Sequence, residues 1–145
     1  ESIVFVRQIS RSLVSKTLEN EGIIEALQEL VGFSSITDRI IEFNHNDGIS
    51  FLNSRQELAI YRIAQEAINN AIKYSKSDVI SVSLEIDKED YELIVSDDGI
   101  GFQWSEFRKS LGLSNMQIRA EEVGAFLKIE SEPEKGTKII LTSNE

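Results

Sequence analysis

Cysteine is absent from the 145 residues, and histidine, proline, methionine and tryptophan occur once each. Without cysteine there is no disulfide, no thiolate zinc site and no thiol nucleophile. A single histidine, His45, excludes a multi-histidine metal site or a histidine-rich catalytic centre. No apolar run approaches the roughly 20 residues that a membrane-spanning helix needs. Positive charge is scarce: 15 Lys and Arg stand against 25 Asp and Glu, a net charge of −10. That balance argues against non-specific nucleic-acid binding and against docking on an anionic membrane. The remainder, 41% hydrophobic and 28% charged, is ordinary globular composition and excludes intrinsic disorder or a fibrous repeat. A chain of this length buries roughly 68–70% of its unfolded surface, enough for one core. It begins at Glu1 rather than Met, and the expectation is a domain excised from a longer chain.

No internal repeat or low-complexity tract is present, and hydrophobic periodicity orders the elements. Residues 1–18 show helix-like spacing through Ile3, Val6, Ile9, Leu13 and Val14. A short helix over 22–32 follows, with Ile23, Ala26, Leu27 and Leu30 at i, i+3, i+4 and i+7. Residues 39–46 read as a strand closed by Asp47-Gly48, a tight-turn signal, with a second short strand expected at 49–52. A long helix runs from Ser54 to Tyr74, with Ser54 as N-cap and Glu57 completing a capping box. Strict alternation over Ile80–Ile86 and the apolar run Leu93-Ile94-Val95 give two paired strands, the second central. A glycine-rich stretch over 97–111, a helix over 113–123 and a final hairpin, 126–131 with 138–142, complete the chain. Short turns between neighbouring strands imply antiparallel pairing. Helices on one face of that sheet give an α+β, two-layer α/β sandwich.

The polar side of the long helix is unusual. Arg62, Glu66, Asn70 and Lys73 fall at i, i+4, i+8 and i+11 and so share one side. An amide oxygen, a carboxylate and an ammonium in one row suit a magnesium–phosphate group, because magnesium takes hard oxygen ligands and keeps several waters. The same row equally suits a solvated helix face. Asparagine is a poor helix former, however, and adjacent Asn69 and Asn70 in mid-helix need a reason.

Two glycine-rich loops follow. Asp97-Asp98-Gly99-Ile100-Gly101-Phe102 continues directly from a strand. A carboxylate there can accept from the exocyclic amine of adenine and is repelled by the acceptor that guanine presents at the same position. Glycines let backbone approach a flat base closely. Taken alone, the segment is better explained by a turn. Ser110-Leu111-Gly112-Leu113 opens a helix, whose free N–H groups favour an anion. Arg108, Lys109 and Arg119 against Glu106 give residues 101–120 a local charge of +2. Gly136-Thr137 begins the last strand.

Together these residues resemble the ATP-binding domain of a bacterial sensor histidine kinase, in the Bergerat-fold superfamily of gyrase, Hsp90, histidine kinase and MutL. Gln65-Glu66-Ala67-Ile68-Asn69-Asn70-Ala71-Ile72-Lys73 resembles its N box and Asp97–Phe102 its first glycine box. Leu111-Gly112-Leu113 with Asn115-Met116 and Arg119 resembles the second, and Gly136-Thr137 the final signature. Order and spacing match over roughly residues 20–142, and Tyr61-Arg62-Ile63 leading into Gln65-Glu66 is similar to the short-lid subgroup of NarX and DesK kinases.

The resemblance implies a mixed sheet covered on one face by three helices. It implies ATP and Mg2+ as ligands: Asn70 on the metal, Glu66 polarising the attack or holding a metal-bound water, and Lys73 on a phosphate. Asp97 with Thr137 takes the adenine, Gly99 and Gly101 shape its pocket, and Leu111, Gly112 and Leu113 form the lid hinge. It also implies an end of a dimerisation helix and linker at 1–19, a catalytic domain at 20–145, a cytosolic location, and two partners. These are a dimerisation domain bearing the phosphoacceptor histidine and a downstream response regulator. His45, in a strand turn, is not that acceptor. Tyr74, Ser110 and Ala125 depart from the subgroup's usual histidine, glycine and glycine. Two alternatives stand beside this reading: a degenerate nucleotide- or protein-binding module, and an anti-sigma-type serine kinase.

Overall fold

The computed structural model describes residues 16–35, 39–75, 77–99, 111–132 and 134–144. The helix expected over 1–18 falls almost wholly outside them; residues 16–21 are helical. The chain then breaks at Gly22, whose φ of +98° suits glycine, and resumes as α1, Ile23–Ser34. β1 (Ile40–His45) leads by a loop to α2 (Ser54–Asn70), which passes into a π-helical turn, Ala71–Ser75. β2 (Val79–Asp87), β3 (Asp90–Asp97), α3 (Leu111–Glu122), β4 (Phe126–Glu132) and β5 (Gly136–Thr142) follow.

The five strands form one mixed sheet in the order β1-β2-β3-β5-β4. β3 is central, as its continuous apolar run implies. β2 pairs antiparallel with β3, β3 with β5, and β5 with β4. β1 instead lies parallel to β2, Ile41 beside Ile80 and Phe43 beside Val82. This corrects the expectation of antiparallel pairing at that edge. The strands flanking Asp47-Gly48 do not form a hairpin, because β1 returns to the sheet through the long α2 crossover, and parallel neighbours need such a connection. The strand expected at 49–52 reduces to one isolated bridge, Ser50 to Lys88.

Alternation puts Val82, Leu84, Leu93, Val95, Ile139 and Leu141 on one face, where they join Leu27, Ile60, Ile63 and Ile68 in a single core. α2 lies centrally, with α1 packed on one side and α3 on the other. The expected three-helix layer is thus present among the described residues. α2 is capped one residue earlier than expected. Asn53, in extended conformation, accepts from Gln56 N–H at 2.9 Å, while the Gln56 side chain accepts from Asn53 N–H at 2.9 Å. Asn53 is as good a cap as serine, and Glu57 is drawn elsewhere: its carboxylate accepts from Ile23 N–H, 3.3 Å away, at the start of α1. Among the described residues no helix is long and apolar enough to cross a membrane.

Candidate functional site

The expected site residues sit at the end of α2, at the end of β3 with the start of β5, and at the start of α3. On α2, Glu66 is half-buried, Asn70 is 5% exposed and Lys73 is exposed on the π-helical turn. The Asn70 Nδ2 is buried and has no hydrogen-bond partner among the described residues. Leaving a buried polar group unmatched costs about 1–3 kcal/mol, so such a group points to a ligand. The switch from α to π winding begins immediately after it, and π-helical turns recur at functional sites. Arg39 donates to the Ala71 carbonyl at 3.1 Å, tying that turn to the start of β1. The turn packs against both β3 and β5.

On the sheet, Asp97 and Thr137 are direct partners across β3 and β5. Both fall on the helix-covered face, by the same alternation that buries Val95 and Ile139. Asp97 accepts through Oδ1 from Gly99 N–H at 2.9 Å, which folds the chain after β3 into a tight turn. The neighbouring Asp98 accepts from Val79 N–H at 3.4 Å. Gly136 has φ +85°, and a Cβ there would overlap the Asp97 carbonyl group. Only glycine brings β5 this close to the end of β3. A cavity of about 530 Å³ opens at this point, with Asp97, Thr137, Ser131 and Lys138 in its lining.

At the start of α3, Gly112 lies against Glu66, whose Oε1 occupies the space a Cβ would take. The structure therefore brings Glu66 and Gly112 together, and separately Asp97 and Thr137. Leu113 is buried in the core. Arg119, at the far end of α3, lies in a shallow groove with Arg55 and Leu58 rather than beside Gly112. Seven residues of helix, about 10 Å, separate the two. Gly101, Arg108, Lys109 and Ser110 fall outside the described residues, and Leu111 is the first residue of α3.

Sequence reasoning missed Ser131, whose Oγ is 3.0 Å from the Thr137 Oγ1. A signal existed: Leu127, Ile129 and Ser131 alternate along β4, so Ser131 is a polar residue in an inward row. Arg39 had no such signal, since its contact with Ala71 spans 32 residues.

An asparagine buried on the central helix with its Nδ2 unmatched among the described residues, a carboxylate–threonine pair at a cavity and a glutamate seated on a glycine are what this fold brings together. The chain belongs to the family of histidine kinase-, DNA gyrase B- and HSP90-like ATPases, whose model matches residues 55–145. It is similar to the signal transduction histidine-protein kinase/phosphatase DegS of Brevibacillus brevis, 30% identical over 97% of this chain and 37% of that one. It is also similar to the oxygen sensor histidine kinase NreB of Staphylococcus carnosus, 31% identical over 94% of this chain and 40% of that one. The chain thus spans less than half the length of these relatives. Its fold matches the Erythrobacter litoralis blue-light activated histidine kinase, with a TM-score of 0.73 and 16% identity over 94% of this chain and 46% of that one. It also matches the Acinetobacter baumannii histidine kinase AdeS, with a TM-score of 0.66 and 16% identity over 99% and 81%.

Proposed function

We propose that this chain is the catalytic, ATP-binding part of a two-component sensor kinase. It presents magnesium-bound ATP to a histidine on a separate dimerisation domain, from which a response regulator is phosphorylated. Residues 20–145 form the catalytic domain and 1–19 the end of the dimerisation helix and its linker; α1 and β1 share one core with the rest, which supports their place in the catalytic domain. The setting is cytosolic.

The observation that carries this reading is the Asp97–Thr137 pair at the mouth of a cavity. Asp97 accepts from the exocyclic amine of adenine, with Thr137 and an intervening water completing the edge. Gly99 and Gly101 keep the approach to the base clear.

The residues present fit a magnesium–triphosphate group. Asn70 would give a magnesium ion an amide oxygen, and Glu66 would hold a metal-bound water. A magnesium ion, when bound, neutralises charge on the triphosphate. Lys73 adds a point charge to a phosphate. Glu66 orients the attacking group and holds its proton. Leu111, Gly112 and Leu113 begin the helix over which the phosphate-covering loop hinges. Catalysis of this kind is mainly positioning and charge stabilisation.

Equilibrium binding of ATP with and without Mg2+ tests the reading. Asp97→Asn turns an acceptor into a mixed donor and is expected to weaken ATP sharply. Unchanged affinity in that variant would overturn the adenine assignment. Phosphorylation of a supplied dimerisation domain, lost in Asn70→Asp, tests the kinase assignment. No nucleotide binding by the unaltered chain would favour the degenerate module.

A further inference from the structure

Ser131 is the polar member of an apolar inward row, and it reaches the nucleotide side of the sheet through Thr137. It stands in register with Thr137 across β4 and β5, and Thr137 faces Asp97 across β5 and β3. The two hydroxyl oxygens are 3.0 Å apart, and all three residues belong to the lining of the same cavity. Thr137 is only 4% exposed, so bulk water does not settle where its proton points.

Hydrogen-bond accounting then fixes a direction. A carboxylate only accepts, whereas a hydroxyl has one proton to give. One Asp97 oxygen already takes the Gly99 N–H. The recognised edge of adenine offers an amine donor beside a ring nitrogen that accepts. Asp97 takes the amine, and the ring nitrogen needs a donor that Asp97 cannot be. A bridging water that gives one proton to the ring nitrogen and the other to Asp97 keeps its lone pairs for accepting. In either arrangement, a Thr137 hydroxyl that engages the base edge does so as a donor. It can do so only while Ser131 is the donor in the Ser131–Thr137 bond.

We infer that Ser131 is a specificity-determining positioning residue: by donating to Thr137 it holds that hydroxyl as a donor toward the base. Purines with an unprotonated ring nitrogen beside the amine are thereby selected over 6-oxo purines, whose ring nitrogen carries hydrogen. The inference rests on the reading of Asp97 and Thr137 as the base-recognition pair.

The test is equilibrium binding of ATP and of inosine triphosphate, each with Mg2+, to the 145-residue chain and its variants. Ser131→Ala is expected to lower ATP affinity about three- to tenfold, the worth of one neutral hydrogen bond. Inosine triphosphate affinity stays unchanged, so the ratio falls equally. Ser131→Thr restores the hydroxyl and the ratio. Thr137→Val lowers the ratio at least as far, and Ser131→Ala adds nothing in that background. An unchanged ratio in Ser131→Ala alongside a lowered one in Thr137→Val overturns the proposal, as does an equal loss for both nucleotides. Should Ser131→Ala fail to fold, Ser131→Cys keeps the volume with a weak donor and carries the same expectation and the same overturning results. Undiminished ATP binding by Asp97→Asn would instead remove the base-recognition reading itself, whatever Ser131 does.

Discussion

The carboxylate of Glu66, on the central helix, rests where a side chain at Gly112 would begin. A glutamate from one helix is thus seated on the first turn of another, in a space kept open by the lack of a Cβ. Glu66→Gln keeps the shape and removes the charge and the proton-accepting capacity. Phosphoryl transfer to a supplied dimerisation domain is expected to fall about 10²- to 10⁴-fold, the usual scale for a general base, with ATP affinity little changed. Gly112→Ala displaces only the flexible end of Glu66, so the fold should persist while transfer drops. In the double variant the two losses should fail to add, as transfer assays on all four proteins would reveal.

Asn70 offers a separation of stability from function. Its buried Nδ2 lacks a hydrogen-bond partner among the described residues, so Asn70→Ala removes an unmatched group. Urea unfolding of the nucleotide-free variant should show stability unchanged or higher by about 1 kcal/mol. The Mg2+-dependent part of ATP affinity should fall at least about tenfold, as when a metal site loses a supporting residue. A marked loss of stability with normal Mg2+ dependence would assign Asn70 to the core instead.

Glu57 makes the fold sensitive to pH in an unusual direction. Burial pushes its carboxyl above the ordinary value of 4.5, and the hydrogen bond from Ile23 N–H draws it only part of the way back. A carboxyl with a raised folded pKa binds its proton more tightly when folded. Its stabilising contribution is therefore complete below 4.5 and is lost as pH rises through the folded value. Glu57→Gln keeps an acceptor for Ile23 and cannot titrate. Its melting temperature, relative to the unaltered chain, should be more favourable at neutral pH than at pH 4.5.

Gly136 is under two constraints, a φ of +85° and the Asp97 carbonyl where a Cβ would stand. Gly136→Ala should cost about 1–3 kcal/mol from backbone strain alone, read by urea unfolding. Because the displaced backbone is that of Asp97, ATP affinity should fall with it.

Much of this could be read without coordinates. The period of 3.6 through Ile23, Ala26, Leu27 and Leu30 and the period of 2 over Ile80–Ile86 identify a helix and a strand, because each pattern buries one face in only one geometry. Asn70 stood out because asparagine disfavours helix interiors, and Asp97 because it ends an apolar strand. The cap of α2 was displaced by one residue because Asn53 and Ser54 are comparable caps, and only the engagement of Glu57 with α1 decides between them.

The sequence by itself determined the elements, the inward faces and the four motifs in order, since these depend on local spacing and side-chain chemistry. Only the tertiary structure decided which elements meet. It turned β1 parallel to β2, seated Glu66 on Gly112, and set Thr137 between Asp97 and Ser131. Each of these contacts joins residues far apart in the chain or in different strands. Such pairings follow from how the sheet order and the helix layer share one core, which no local pattern encodes.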